Sequence, residues 1–200
     1  MPPGLSEDEI VEKRDLFVNC ALKIMESEGS DALTLRKLAT TAGVSRTTPY
    51  LYFKDKAALL DAMRIHGFNA LSDACEQAII GVEKHVKQMR VLGETYVTFA
   101  ITRPALYRLL FMSGVDGDMS EPLRAATDRY NKITSAPMQK AYDAGIMALP
   151  PERLGPVLWA AIHGLLELRS AGLLGDDQAF EEVQRNLNSV LAKGFVKKAD

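Results

Sequence analysis

The sequence predicts an all-α chain of about nine helices. Apolar residues recur at three- and four-residue spacing along almost the whole chain, the mark of helices with one buried face. No segment alternates apolar and polar residues as a half-buried strand would. Turn-forming residues such as Gly29, Gly43, Gly81, Pro104 and Pro150-Pro151 fall at the ends of the periodic segments. There is no internal repeat and no low-complexity segment.

Residues 1–5 are expected to be disordered. Ser6 followed by Glu7, Asp8 and Glu9 reads as a helix start, with carboxylates at the positive end of the dipole. Ile10, Phe17, Ala21 and Ile24 keep one face apolar as far as Gly29. Thr34 can cap a short second helix, whose buried face is Leu35, Leu38, Ala39 and Ala42. Gly43 stands where that helix must stop, because glycine tolerates positive φ. Val44 can plug the corner, and Ser45 is placed to cap a third helix carrying Arg46, Thr47, Thr48, Tyr50 and Tyr52. Lys54-Asp55 opens a fourth helix running past Cys75 toward Ile80.

A helix is expected from Glu83 to Thr102, and a short apolar one from Ala105 to Met112. Between them Pro104 breaks the amide ladder. Ser113–Ser120 reads as a loop. Glu121–Gly145 reads as a helix kinked at Pro137. Glu152–Gly172 is apolar on more than one side, so it should bury two faces. Asp177–Phe195 is amphipathic through Phe180, Val183, Leu187, Val190 and Leu191.

Composition narrows the class. The chain has 200 residues, 47% of them hydrophobic, as in an ordinary globular core. Its net charge is −2, so the whole protein is no polycation. From Thr34 to Lys56, however, Arg36, Lys37, Arg46, Lys54 and Lys56 face only Asp55, a local charge of +4. A basic patch on a mildly acidic body suits phosphate contact and limits indiscriminate binding. Cys20 and Cys75, far apart, within helical segments and without metal-ligand spacing, read as buried thiols, with a redox switch as the alternative. No apolar run approaches the ~18 residues of a membrane span. The acidic N-terminus lacks the features of a signal peptide, so a cytoplasmic location is expected. No phosphate loop, nucleophile elbow or HExxH motif is present, and His66, His85 and His163 are isolated from one another. An enzyme, a metal and a cofactor are therefore not expected.

Helix, glycine turn, helix is the arrangement whose second helix enters the DNA major groove. Here the residues that carry it are Thr34, Leu38-Ala39, Ala42-Gly43-Val44-Ser45, Tyr50-Leu51-Tyr52-Phe53, Lys56 and Leu59. In that register they resemble the N-terminal domain of the tetracycline-repressor (TetR) family of bacterial transcription regulators. Pro49 departs from the family pattern, which usually has a bulky apolar residue there. Proline lacks an amide hydrogen and disfavours α conformation at Thr48, so the recognition helix is expected to begin later than Arg46 or to bend in its first turn.

Tyr96–Ala100, Arg103–Phe111 and Trp159-Ala160-Ala161-Ile162-His163-Gly164 resemble the TetR C-terminal domain type named for its Trp–His–Gly signature. That resemblance implies a dimerising, small-molecule-sensing body. The division expected is a DNA-binding domain over residues 6–53 and a ligand-binding and dimerisation domain over 54–200.

DNA-contact candidates follow from chemistry and from the match. Arg46 can read a guanine edge, and Thr47 and Thr48 can bond base edges or pack on a thymine methyl. Tyr50 and Tyr52 offer hydroxyls, although Tyr50 can instead pack on the first helix. Phe53 reads as core. Lys56, with the amides of the fourth helix, suits a phosphate clamp, and Thr34 offers a similar contact. In the body, Tyr96, Phe99, Tyr107, Phe111, Trp159 and His163 are pocket candidates, although such aromatic sets are more often plain core. A hydrogen-bonded core histidine is the simplest reading of His163, with a pH sensor or ligand contact as alternatives. Leu165, Leu168, Leu187, Val190 and Leu191 are the expected dimer contacts.

Together these readings describe a homodimeric, ligand-responsive regulator. It would act as a repressor on a palindromic operator and be released by a small, largely apolar effector, with no membrane involved. The alternative is a helical hydrophobe-binding module whose DNA head is vestigial.

Overall fold

A computed structural model describes residues 6–111 and 119–196. The first five residues, Met112, and the expected loop as far as residue 118 lie outside the described residues. Eight α-helices and two 3-10 turns make up the described chain. They are α1 Glu7–Glu28, α2 Leu35–Thr41, α3 Lys56–Ala78, α4 His85–Thr102, α5 Pro104–Phe111, α6 Glu121–Asp143, α7 Pro151–Ser170 and α8 Asp177–Phe195. The 3-10 turns cover Ser30–Ala32 and Thr48–Leu51. Among the described residues there is no named strand, only one isolated bridge between Met147 and Val196. The ninth helix anticipated from the sequence is the second 3-10 turn. Two compact units result, Met1–Ala70 with Thr102–Asp128 and Leu71–Ile101 with Arg129–Asp200.

In the first unit, local caps set the helix boundaries. Ser6 and Glu9 form a reciprocal capping box at the start of α1. Thr34 Oγ1 accepts from the Lys37 amide at 3.1 Å and caps α2 as expected. Asp55 accepts from the Ala58 amide at 2.9 Å and caps α3. Gly43 takes φ +67°, which ends α2 and admits the turn. Phe17 and Ile24 of α1, Leu38 of α2, Phe53, and Leu59 and Met63 of α3 are all buried at the centre. Fully burying side chains of this size contributes about 1.5–3 kcal/mol each.

Further along, α3 passes closely by α5. A Cβ on Gly67 would stand 2.8 Å from a methyl of Leu106, so only glycine fits that crossing as it stands. Arg64, also buried, donates from Nε to the Leu109 carbonyl at 3.3 Å. Phe68 meets Phe111 edge-on, centroids 5.6 Å apart.

In the second unit, Ala141, Met147 and Leu154 form a core that Met138, Leu158, Phe195 and Val196 pack against. The Ala148 amide donates to the Phe195 carbonyl at 2.9 Å, which ties the end of α8 to the α6–α7 connection. α6 continues through Pro137 rather than ending there. Phe180 is buried under the guanidinium of Arg169, 4.3 Å above its ring, and Arg169 pairs with Asp177 at 2.9 Å.

Candidate nucleic-acid interface

The element after Gly43 is not the Ser45-capped α-helix expected. Thr48 donates to the Ser45 carbonyl at 3.0 Å, Tyr50 to Thr47 at 3.1 Å and Tyr52 to Pro49 at 3.0 Å. These are i to i+3 bonds, a 3-10 turn. Pro49 explains it: having no amide hydrogen, it cannot donate to the ladder at that position. It is itself fully buried and anchors the turn. Among the described residues Ser45 Oγ meets no backbone amide. It lies 3.1 Å from Thr47 Oγ1 and 2.7 Å from Thr48 Oγ1.

Four side chains hold this turn against α1. Tyr52 packs against Phe17 with tilted rings, centroids 5.2 Å apart, and Phe17 meets Phe53 edge-on at 6.2 Å. Arg14 donates from Nη1 to the Tyr52 carbonyl at 2.8 Å while its guanidinium covers the Phe53 ring at 4.8 Å. It is therefore Tyr52, not Tyr50, that packs on α1. Tyr50 is 57% exposed. Arg14 carries no local sequence signal, since its partners lie 38 and 39 residues away.

Arg46 and Thr47 are exposed and Thr48 half-buried on the outward side. Arg46 forms no ion pair among the described residues. Lys37, by contrast, is neutralised by Glu28 at 2.8 Å, so it adds less to the patch than its sequence position suggests. Lys56 is exposed at the first turn of α3 and donates to the Ser30 carbonyl at 3.3 Å. That carbonyl belongs to the Ser30–Ala32 turn that precedes α2, and Thr34, the α2 cap, is also exposed. The Asp55 carboxylate already holds the Ala58 amide, so an anion at this helix end meets a carboxylate as well as a lysine.

In the second unit the structure brings Tyr96, Trp159 and His163 together. The Tyr96 hydroxyl lies 2.7 Å from His163 Nε2, and the Trp159 and His163 rings meet with centroids 4.3 Å apart. Desolvation by burial lowers the His163 pKa, opposed by the charge of Glu167. Phe99 is buried in α4. In the first unit the rings of Tyr107 and Phe111 meet at a tilt, centroids 5.7 Å apart. An open groove of about 800 Å3 runs along α4 and α8, lined by Arg90, Glu94, Val97, Phe180, Glu181 and Arg185 among others. None of the six residues expected to form a pocket lines it.

Of the expected dimer contacts, Leu165 is buried within its own protomer, where it serves the core. Leu168 and Val190 are exposed, and Leu187 and Leu191 half-buried. Val157 and Trp159 add exposed apolar surface on α7. Cys20 and Cys75 are both free and buried, and burial pushes the Cys75 thiol up to about 11. Among the described residues no helix is long and apolar enough to cross a membrane, and no group of metal-binding side chains assembles.

The described residues are all-helical and carry basic and hydroxyl side chains exposed on a turn that the first helix braces. Two family descriptions match the chain: bacterial regulatory proteins of the tetR family over residues 18–63, and the tetracyclin repressor-like C-terminal domain over residues 89–191. The second alone covers half the chain and includes Trp159, His163 and Gly164; the chain belongs to the TetR family.

The chain is 40% identical over 104 residues to the class D tetracycline repressor protein of Escherichia coli, a match covering 52% of this chain and 42% of that protein. The class H repressor of Photobacterium damsela subsp. piscicida matches to the same extent. The matched segment thus spans about two fifths of the length of these relatives. Among solved structures, a protein of unknown function from Rhodococcus sp. RHA1 superposes with a TM-score of 0.81 at 27% identity, covering 98% of this chain and 100% of that one. A TetR family regulator from Marinobacter aquaeolei VT8 superposes at 0.74 with 20% identity, covering 96% and 100%, which shows the fold alone.

Proposed function

We propose that this protein is a ligand-responsive repressor that binds a palindromic operator as a homodimer in the cytoplasm. A small, largely apolar effector would release it. The observation that carries the DNA reading is the recognition turn. Pro49, Tyr52, Phe53 and Arg14 fix its inner side, while Arg46, Thr47, Tyr50 and Lys56 stay exposed on its outer side and flank. Arg46 suits a guanine edge, Thr47 and Thr48 base edges, and Tyr50 and Tyr52 hydroxyl contacts; Lys56 and Thr34 suit phosphates.

Pairing of two copies is supported by the exposed Leu168 of α7 and Val190 of α8, flanked by Leu187 and Leu191. An effector site is supported by the Tyr96–His163–Trp159 contact, where aromatic faces adjoin one polar group, as in pockets that orient a mostly apolar ligand. Phe99, buried in α4 of the same unit, is the further aromatic assigned to it. α3 belongs to both compact units, so a displacement near Met63 and Phe68 would alter the presentation of the turn. The effector acts only through its differential affinity for the two arrangements. A coupling of ~1–3 kcal/mol weakens operator binding 5- to 150-fold.

The test is a mobility shift with the DNA upstream of the protein's own gene, repeated with a panel of hydrophobic ligands. A sequence-specific shift that some ligand abolishes, with a parallel change in Trp159 fluorescence, supports the reading. A ligand that changes the fluorescence but leaves the shift intact shows a pocket without a switch. Absence of any shift, with ligand binding retained, favours a hydrophobe-binding module.

A further inference from the structure

The 3-10 geometry sorts the side chains of the recognition turn into columns. With three residues per turn, side chains three apart stand one above another. Pro49 and Tyr52 form the inward column, one fully buried and the other packed against Phe17. Thr47 with Tyr50, and Thr48 with Leu51, form the two remaining columns. Leu51 is 53% exposed, an apolar side chain on a turn whose other outward groups are hydroxyls and Arg46.

The threonine hydroxyls beside it are not fully available. Ser45 Oγ makes two hydroxyl–hydroxyl bonds, at 3.1 Å to Thr47 and 2.7 Å to Thr48. Two such bonds need two protons, and Ser45 supplies at most one. At least one threonine therefore spends its proton inside the turn and faces outward as an acceptor only. That leaves less of the base discrimination to Thr47 and Thr48, and it leaves Leu51 as the exposed apolar group at the same level. The apolar feature that the major groove offers is the C5-methyl of thymine.

We propose that Leu51 is a specificity-determining residue that reads a thymine through its C5-methyl group. This rests on the DNA-binding reading and adds to it the base class recognised and the residue that recognises it. Single exposed leucines are common on protein surfaces, so the test must separate methyl readout from bystander exposure.

A binding sequence is selected from a random duplex pool with the full-length protein. Each thymine of the selected half-site is then replaced in turn by deoxyuridine, which lacks only the methyl. At one thymine per half-site, deoxyuridine is expected to weaken the wild type about four-fold, the value of one buried methyl group. Leu51→Ala should weaken binding to the thymine site by a similar factor and lose nothing further on deoxyuridine. Leu51→Val should keep part of the discrimination. If every replacement leaves wild-type affinity unchanged, or weakens wild type and Leu51→Ala equally, Leu51 reads no methyl and the inference fails alone. A pool yielding no enriched sequence removes the DNA-binding reading and the inference together.

Discussion

The hydroxyl of Tyr96 lies 2.7 Å from Nε2 of His163, across 67 residues of chain. Burial lowers the histidine's pKa, so the neutral ring is favoured, and a neutral ring with its proton on Nδ1 accepts the tyrosine proton at Nε2. Because the folded-state pKa lies below the usual 6.5, the unfolded chain binds the proton more readily. The contribution to stability is complete above pH 6.5 and is lost as pH falls from there through the lower folded-state value. Urea midpoints of the wild type should therefore drop between pH 8 and pH 5 by more than those of His163→Gln. Trp159 fluorescence should titrate below pH 6.5 in the wild type only, since the indole lies 4.3 Å from the ring that gains the charge. Identical pH profiles for the two proteins would contradict this account.

Arg14 should matter to stability and to DNA binding without touching DNA. Arg14→Ala removes a charged hydrogen bond to the Tyr52 carbonyl and a cation–π contact with Phe53. The two together are worth about 2 kcal/mol. Operator affinity should fall as the turn loosens, while the salt dependence of binding stays that of the wild type, because no phosphate contact is lost. A flattened salt slope would place Arg14 on a phosphate instead.

Much of the head was legible in the sequence because its signals are local. The Thr34 cap, the positive φ of Gly43, the buried Phe53 and the Asp55 start of α3 each depend on residues within one or two turns. The proline at position 49 announced a disturbed recognition helix, but not that the whole element would become a 3-10 turn. The Ser45 hub and the Arg14 brace were not legible. One depends on the conformation that the proline imposes, the other on a contact between segments far apart in sequence. In the body, periodicity showed that α7 is apolar on several sides, but not that Leu165 faces its own core while Leu168 faces out. The pairing of Tyr96 with His163 was equally invisible, since nothing local links α4 to α7.

Gly67 offers a test of the α3–α5 crossing. Gly67→Ala gains about 1 kcal/mol of helix propensity. Its methyl, however, would sit 2.8 Å from Leu106 and about 3 Å from Leu110. Overpacking of this kind costs about 1–3 kcal/mol, so a net loss of about 1 kcal/mol is expected in chemical denaturation. A stabilised variant would show that the two leucines yield freely.

Charge placed on α8 should break the proposed homodimer. Leu187→Glu with Val190→Glu puts two carboxylates on the stripe that carries 67% exposed Val190. Sedimentation should show monomers with unchanged helix content, and binding to a full inverted repeat should fall to the level of a single half-site. A wild-type monomer at micromolar concentration would contradict the assembly.

Exposed side chains of the recognition turn, together with Lys56, are proposed to bind one DNA sequence. This is tested most directly by the affinity of wild type and Lys56→Ala for a selected operator and for scrambled DNA across a range of salt. Operator binding is expected to be at least ~10³-fold tighter than binding to scrambled DNA. The Lys56→Ala salt slope is expected to be lower by about one unit on both DNAs. Equal affinity for operator and scrambled DNA, or a Lys56→Ala slope identical to the wild type's, would contradict the proposal.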